Sequence, residues 1–532
     1  MIRPTQRRTE FDLEKPRSNH HENLVNKFSI SSSLINFTRV FNCVVSKADL
    51  CQLQDRTHCS GRIARRQVGR TLSCLVTSLL AVMLWPGSAL AQSSSAPLLT
   101  TITNPTPASG DLFGTSLAAV GTDRVIIGSE VAEEAYLFNL SGTLLKTFTN
   151  PDGAGGVGFS AALSPVGNGG LLIGNYNYFA GAAQVGRAYL FSTNGTLLTV
   201  FTNPSPMRVQ AFGWALAAFG ADRVLISGPA DDNKGAPYAG SVYLFRTNGT
   251  LLNTFTNPTP AYDGGFALSV AAVGSDRVLV GAPYDNRGAA AAGSAYLFST
   301  NGTLLTTFTN PIPALDDNFG TAVSAVGNGQ VLISAIDYGG AKGNGGSAYL
   351  FGTNGTLLTI ITNPTPAANE YFGWSVAAVG SSRVLVGAFQ DGTGALQSGS
   401  AYLFSTNGTL LNTITNPTPA AYDFFGWSVA AVGTDRVIIG SYRDDTGATD
   451  AGAAYLFALP YPSLSIEQNA GTVALSWVTA ETGLILQQTD LLGAPAVWSE
   501  TTDLVSINGL TNVVQQTITN GYTNRFYHLH RP

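Results

Sequence analysis

The chain has 532 residues, 44% of them hydrophobic and only 11% charged, with 59 glycines; that balance disfavours a helical architecture and favours turn-rich β-structure in more than one domain. Net charge is −5 overall but uneven: residues 1–91 hold 13 Lys and Arg against 6 Asp and Glu, and residues 92–532 hold 15 against 27. An acidic main body without a basic cluster is a poor binder of nucleic acid or anionic membranes, and neither is expected as a partner.

In chain order, residues 1–61 form an irregular extension longer than a signal peptide requires, and translation from a non-Met codon such as Val68 would account for it. Arg62, Arg65, Arg66 and Arg70 then precede an apolar run from Leu72 to Trp85, broken by Pro86 and Gly87. Ala89-Leu90-Ala91 ends this segment with a small-x-small pattern, so residues 62–91 are predicted to be a secretory signal cleaved between Ala91 and Gln92. The run is too short to remain as a membrane span, so the mature chain is expected to be secreted, periplasmic or surface-bound without one. Cys43, Cys51, Cys59 and Cys74 all precede the cut, leaving the mature chain without thiols. Cys51, His58 and Cys59 match no zinc-ligand spacing.

From residue 92 to 460 a unit of roughly 53 residues recurs seven times. Its anchors are Phe113, Phe159, Phe212, Phe266, Phe319, Phe372 and Phe425. Each opens a small-residue strand such as Ser375-Val376-Ala377-Ala378-Val379. A tight turn (Gly274-Ser275-Asp276-Arg277) leads to a second strand (Val278-Leu279-Val280-Gly281). A longer loop leads to a third (Ser294-Ala295-Tyr296-Leu297-Phe298), and Asn301-Gly302 turns into a fourth (Leu304-Leu305-Thr306-Thr307-Phe308). Asn-Gly between β-rich runs is a strong hairpin signal, and four short strands per period describe a propeller blade. The predicted fold class is therefore all-β, a seven-bladed β-propeller. The small first strand belongs near the axis and the Leu/Thr-rich fourth on the rim. The seventh unit lacks a fourth strand, whereas Leu98-Leu99-Thr100-Thr101-Ile102-Thr103 precedes the first unit as an unattached fourth strand. Pairing the two closes the ring and removes open sheet edges.

Phe-Gly at Phe113-Gly114, Phe212-Gly213, Phe319-Gly320, Phe372-Gly373 and Phe425-Gly426, with Gly281-Ala282-Pro283 and its looser forms Ser227-Gly228-Pro229 and Gly387-Ala388-Phe389, resembles the FG-GAP repeat of integrin α-subunits. The resemblance covers about residues 98–457 and implies a propeller used for extracellular binding or adhesion. Many members of that family carry an Asp-rich calcium loop between the first two strands. Here the place holds turns such as Gly121-Thr122-Asp123-Arg124, and a single carboxylate cannot supply calcium's several oxygens. No metal or cofactor is expected.

After Pro460-Tyr461-Pro462 the repeat ends. Strands around Leu464–Ile466, Val473–Trp477, Leu484–Gln488, Val513–Ile518 and Arg525–Leu529 predict a small β-sandwich over residues 461–532. It resembles the short β-modules that end many secreted bacterial proteins, with Trp477 and Trp498 in its core.

The propeller contains no His and no Cys, which excludes Ser-His-Asp, Cys-His and His-based metal chemistry there. In an up-and-down blade the 2–3 and 4–1 loops share one face, and these are the long, variable ones. That face is expected to gather Asp231, Asp232, Asp285, Asp337, Asp391, Asp444 and Asp445, with Tyr262, Tyr284, Tyr422 and Tyr442 among them. Each carboxylate is either a ligand contact or a cap for a Gly-rich loop. Trp214, Trp374 and Trp427 each follow Phe-Gly, where other units have Thr115, Ser160, Ala267 or Thr321. They either pack between blades or line the channel mouth, with Trp374 and Trp427 side by side. The predicted function is non-enzymatic binding of an extracellular protein or glycan on this face. The alternatives are a carbohydrate-active enzyme with paired carboxylates and a purely structural surface repeat.

Overall fold

The computed structural model describes residues 96–459, apart from 154–157, 168, 181–182, 206–208, 233–235, 261–263, 328, 339–342 and 344, together with strand segments between 465 and 530. Expectations about residues 1–61, the export segment 62–91, the Ala91–Gln92 cleavage site, Trp498 and Tyr262 lie outside the described residues.

No helix occurs among the described residues, and seven antiparallel blades follow one another along the chain. In blade four, Ser269–Val273, Arg277–Ala282, Ser294–Ser299 and Leu304–Thr309 pair in sequence order. Blade seven takes Phe425–Val432, Arg436–Ser441 and Ala453–Ala458, and its fourth strand is Leu98–Thr103 from the other end of the array. The register places Thr101 opposite Tyr455 and Ile102 opposite Ala454. Ile102 is 1% exposed, whereas Leu98 and Leu99 face outward. Blade two departs from the pattern: its third strand, Ala183–Ser192, also pairs with Phe179–Ala180 and, in parallel, with Val209–Phe212.

First strands of neighbouring blades lie side by side around the ring, which makes them the axial strands. The cores sit between blades. Leu279 and Leu297 of blade four pack against Val331, Ile333 and Phe351 of blade five, and equivalent clusters join the other neighbours. Each anchor Phe is fully buried against its own third strand; Phe266, for example, lies 5.9 Å from Tyr296 and 6.3 Å edge-on to Phe298. Burying such a ring stabilises by about 1.5–3 kcal/mol.

The repeated glycines mark a backbone contact between blades. At the blade six–seven joint, Gly426 follows its anchor with φ 91°, and its carbonyl oxygen points at Gly387 of the second strand of blade six. A Cβ on Gly387 would overlap that oxygen. Ser375 Oγ, just before the axial strand of blade six, donates to the same carbonyl at 2.8 Å. Ser269 to Gly320 (2.9 Å) repeats the bond at blades four and five, and Ser428 to Gly114 (2.6 Å) repeats it where the ring closes. The two halves of the motif therefore belong to different blades in space. In blades two and four the positive φ is carried by Ser160 (69°) and Ala267 (77°). This corrects the alignment of the Trp column: the counterparts of Trp214, Trp374 and Trp427 are Ala161 and Leu268, one residue later than Ser160 and Ala267.

Beyond the propeller there are two small antiparallel sheets. One contains Ser465–Asn469, Thr472–Val478, Thr511–Thr517 and Ser506–Asn508, and the other Ser499–Glu500, Ile485–Thr489 and Phe526–His530. Leu475 in the first and Leu486 in the second are buried.

Candidate functional site

The two faces of the ring differ in chemistry. On the turn face, Asn301 accepts from the backbone N–H of Thr303 at 3.1 Å, while the Gly302 N–H donates to Ser299 at 2.9 Å. The Asn-Gly-Thr units are thus turn closures. Arg277 pairs with its neighbour Asp276 at 3.4 Å, and Arg223 donates from blade three to the Ser275 carbonyl in the turn of blade four at 3.1 Å. A chelator is expected to leave the melting temperature unchanged. These turns offer one carboxylate each, and no group of three or more His, Cys, Asp or Glu suited to a metal occurs among the described residues. A fall of several degrees with EDTA, restored by calcium, would overturn this.

On the opposite face the structure redistributes the expected carboxylates. Asp231, Asp391 and Asp444 are no more than 3% exposed. They turn inward and accept the hydroxyl protons of third-strand tyrosines: Tyr243 on Asp231 at 2.6 Å, Tyr402 on Asp391, and Tyr455 on Asp444 at 2.5 Å. Asp285 takes the same bond from Tyr296. Asp317 and Asp423, in 4–1 loops, accept from Asn310 (2.7 Å) and Asn416 (2.8 Å) at the ends of the preceding fourth strands. Asp337 is buried beside the Asp317 backbone. The carboxylates bonded by Tyr or Asn are loop clamps, because the fourth-strand Asn and third-strand Tyr bring hydrogen-bond donors to the loop base and a desolvated carboxylate needs them. Of the predicted acids, Asp232 and Asp445 remain exposed.

Burial pushes the Asp231 carboxyl up to about 7, against the pull of its Tyr243 and Asn203 hydrogen bonds. It pushes Asp423 up to about 6, with Asp444 and Asp445 adding to the rise. An unfolded Asp titrates near ~3.9. The folded protein therefore keeps a proton on Asp231 that the unfolded chain releases, so this site contributes stability at pH 4 that is lost as pH rises to about 7. Asp231→Asn should flatten this part of the profile. Urea unfolding at pH 4.5 to 8 should show the parent losing stability relative to the variant by up to about 1.4 kcal/mol per pH unit inside the window. Parallel profiles would refute the assignment.

The aromatic side chains do converge. Trp374 and Trp427, at the starts of axial strands in blades six and seven, lie 4.7 Å apart between ring centroids, tilted by 41°. Tyr442 is 4.5 Å from Trp427, and Phe389 is 5.1 Å from Trp374 and 4.9 Å from Trp427. Tyr371 stacks on Phe389 at 5.3 Å, Phe424 stacks on Tyr442 at 5.6 Å, and Tyr422 and Leu112 complete the edge. Phe389, Phe424 and Tyr442 form the buried floor; both Trp rings are half-buried above it. The Arg443 guanidinium lies over Phe424 at 5.4 Å and Tyr442 at 5.6 Å.

A second group continues around the mouth. Trp214 of blade three, 36% exposed, meets Tyr176 of blade two edge-on at 4.8 Å. The Tyr176 hydroxyl donates to Glu130 of blade one at 2.8 Å. Burial raises the Glu130 carboxyl above its usual range, and burial likewise pushes the Tyr442 hydroxyl up to about 12, against the pull of the Arg443 guanidinium. Phe389, Phe424, Tyr371, Glu130 and Tyr176 were not singled out from the sequence. The signal was present: Glu130, Tyr176, Phe389 and Tyr442 occupy the Pro column of Gly-Ala-Pro, and Tyr371 and Phe424 precede the anchors. Tyr284 stands apart, lining a cavity of about 270 Å³ in blade four with Asn257, Thr259, Asp285, Asn286 and Arg287. Asp285 and Arg287 pair there at 3.5 Å.

A model of the FG-GAP repeat matches residues 358–404 and 409–457. Each match joins the fourth strand of one blade to the first three of the next, the same offset that closes the ring. Comparison with curated proteins finds no match. Among solved structures, the chain is similar to a streptogramin B lyase (13% identity, 68% of this chain and 97% of that one, TM-score 0.48). It is also similar to virginiamycin B lyase from Staphylococcus aureus (11%, 68% and 99%, 0.48) and to the WD40 β-propeller domain of Doa1 (12%, 68% and 97%, 0.44). At these identities and TM-scores the likenesses carry no argument about activity.

Proposed function

We propose that this chain, whose propeller carries FG-GAP repeats, is a secreted, non-enzymatic binding or adhesion protein that takes its ligand on the loop face of blades six and seven. The observation that carries the reading is the half-buried Trp374–Trp427 pair, set on a floor of buried aromatic rings where variable loops meet. Large aromatic surfaces held rigid and partly open are the usual anchors of recognition. The exposed carboxylate of Asp445 stands on the 2–3 loop of blade seven, the blade that carries Trp427.

The enzymatic alternative needs two carboxylates open to a substrate. The candidate neighbours Asp423 with Asp444 and Glu370 with Asp391 are instead engaged by Asn, Tyr and backbone donors. Export through residues 62–91, with Gln92 as the new N-terminus, is part of the same proposal, and sequencing the mature protein from its native host tests it.

Binding is tested by screening extracellular proteins and glycans against the secreted chain and its variants. Trp427→Ala and Asp445→Ala are expected to weaken binding, the first by about tenfold or more. Asp445→Ala should leave the melting temperature unchanged, and Asn301→Ala on the turn face should leave binding unchanged. Loss of binding confined to the turn-face variant would refute the site.

A further inference from the structure

Resting on that reading of the loop face, we infer that the ligand is a carbohydrate chain lying across the channel mouth. Its sugar rings stack on Trp374 and Trp427 at one end and on Trp214 at the other, and its hydroxyls meet Glu130 between them. The aromatic groups form an arc through blades six, seven, one, two and three. Trp374 adjoins Trp427 at 4.7 Å, Trp427 adjoins Tyr442 at 4.5 Å, the Tyr176 hydroxyl bonds Glu130 at 2.8 Å, and Tyr176 adjoins Trp214 at 4.8 Å. Glu130 and Tyr442 join the two halves, because each is the residue just after the second strand and their blades, one and seven, are neighbours in the ring.

The order along this arc is apolar, polar, apolar. A protein partner wants a contiguous apolar centre with a polar rim, and a small apolar ligand wants an enclosed cavity. The arc instead offers partly open ring faces separated by a carboxyl group whose oxygens take hydrogen bonds from hydroxyls, as they do from Tyr176. A pyranose matches this, having apolar C–H faces and donor hydroxyls around its edge. The acidic balance of residues 92–532, 15 basic against 27 acidic side chains, favours a neutral glycan over an acidic one. Two stacking places separated by a polar bridge require a ligand of several rings, because one ring cannot reach both.

The test titrates the full secreted chain with cello-, chito-, xylo-, malto- and manno-hexaose and with the matching monosaccharides, by calorimetry and by tryptophan fluorescence. At least one hexaose should bind and shift the emission, with its monosaccharide at least about tenfold weaker because the second contact is lost. Trp214→Ala should weaken hexaose binding about tenfold and so narrow the hexaose's advantage over its monosaccharide. Glu130→Gln keeps an acceptor for the Tyr176 hydroxyl and replaces the other carboxyl oxygen by an amide nitrogen that cannot accept; it should weaken the hexaose several-fold. Hexaose binding indifferent to both variants overturns the arc. If no hexaose binds but an extracellular protein does, and that binding needs Trp427, the carbohydrate inference fails and the loop-face site stands. If whatever ligand binds is indifferent to Trp427→Ala, both fail.

Discussion

Deleting Leu98–Thr103 is expected to cost the propeller at least about 4 kcal/mol and to broaden its unfolding transition. The segment supplies the outer strand of blade seven through pairings from Leu98↔Phe457 to Thr103↔Ala453. Its loss removes a row of backbone hydrogen bonds and leaves Ala453–Ala458 as an open edge. It also removes Ile102, which is 1% exposed in the core shared by blades seven and one with Val125, Ile127 and Leu456. The expected signature separates closure from general damage. Ile102→Ala alone should cost about 2–5 kcal/mol. Leu98→Ala and Leu99→Ala, whose side chains are 42% and 50% exposed, should stay within about 0.5 kcal/mol. Differential scanning calorimetry of the four variants checks this. A truncated chain that melts like the parent would mean that the ring does not depend on its N-terminal strand.

Gly399→Ala is expected to be the most damaging single substitution of a glycine in blade six, costing more than about 3 kcal/mol or abolishing soluble expression. Gly399 precedes the third strand at φ 87°, where its backbone makes a parallel bridge to Phe425 of the next blade. An added Cβ would run into the carbonyl oxygen of Phe425, with the Phe425 nitrogen only 2.6 Å away. Neither atom can yield, since the Phe425 N–H donates to the Ser398 carbonyl at 2.9 Å and fixes the strand entry. Gly220→Ala is the control. Its φ is 70°, yet nothing lies within 4 Å of the new Cβ, so it should cost only the conformational penalty of about 1 kcal/mol. Denaturant midpoints measured on both variants distinguish a close approach between blades from a turn preference. Equal losses would show that the blade joint tolerates side chains.

The same joint explains how much of the fold was legible from sequence. Period, strand order and closure follow from local rules: Asn-Gly turns, alternating small and bulky strands, and an incomplete last unit matched by a spare first strand. Those rules act within one repeat, and every repeat restates them. The inward turn of Asp231, Asp391 and Asp444 was not legible, because an Asp in a Gly-rich loop has the same local sequence whether it faces water or a buried tyrosine. Tyr243, Tyr402 and Tyr455, from the third strand of the same blade, decide which.

The adjacency of Trp374 and Trp427 was readable from repeat spacing, since equivalent positions in consecutive blades are neighbours. The floor beneath them was not, because Phe389 and Tyr442 reach it from second-strand ends, and Tyr371 and Phe424 from 4–1 loops. Glu130 and Tyr176 lie 46 residues apart and meet only because the ring brings blades one and two side by side. By itself, then, the sequence determined the seven-fold architecture, since it is written in hydrogen-bonding and packing preferences that act over a few residues. Only the tertiary structure decided which carboxylates are clamps and which aromatic rings share the mouth, because those outcomes depend on side chains that different strands and blades bring together through folding.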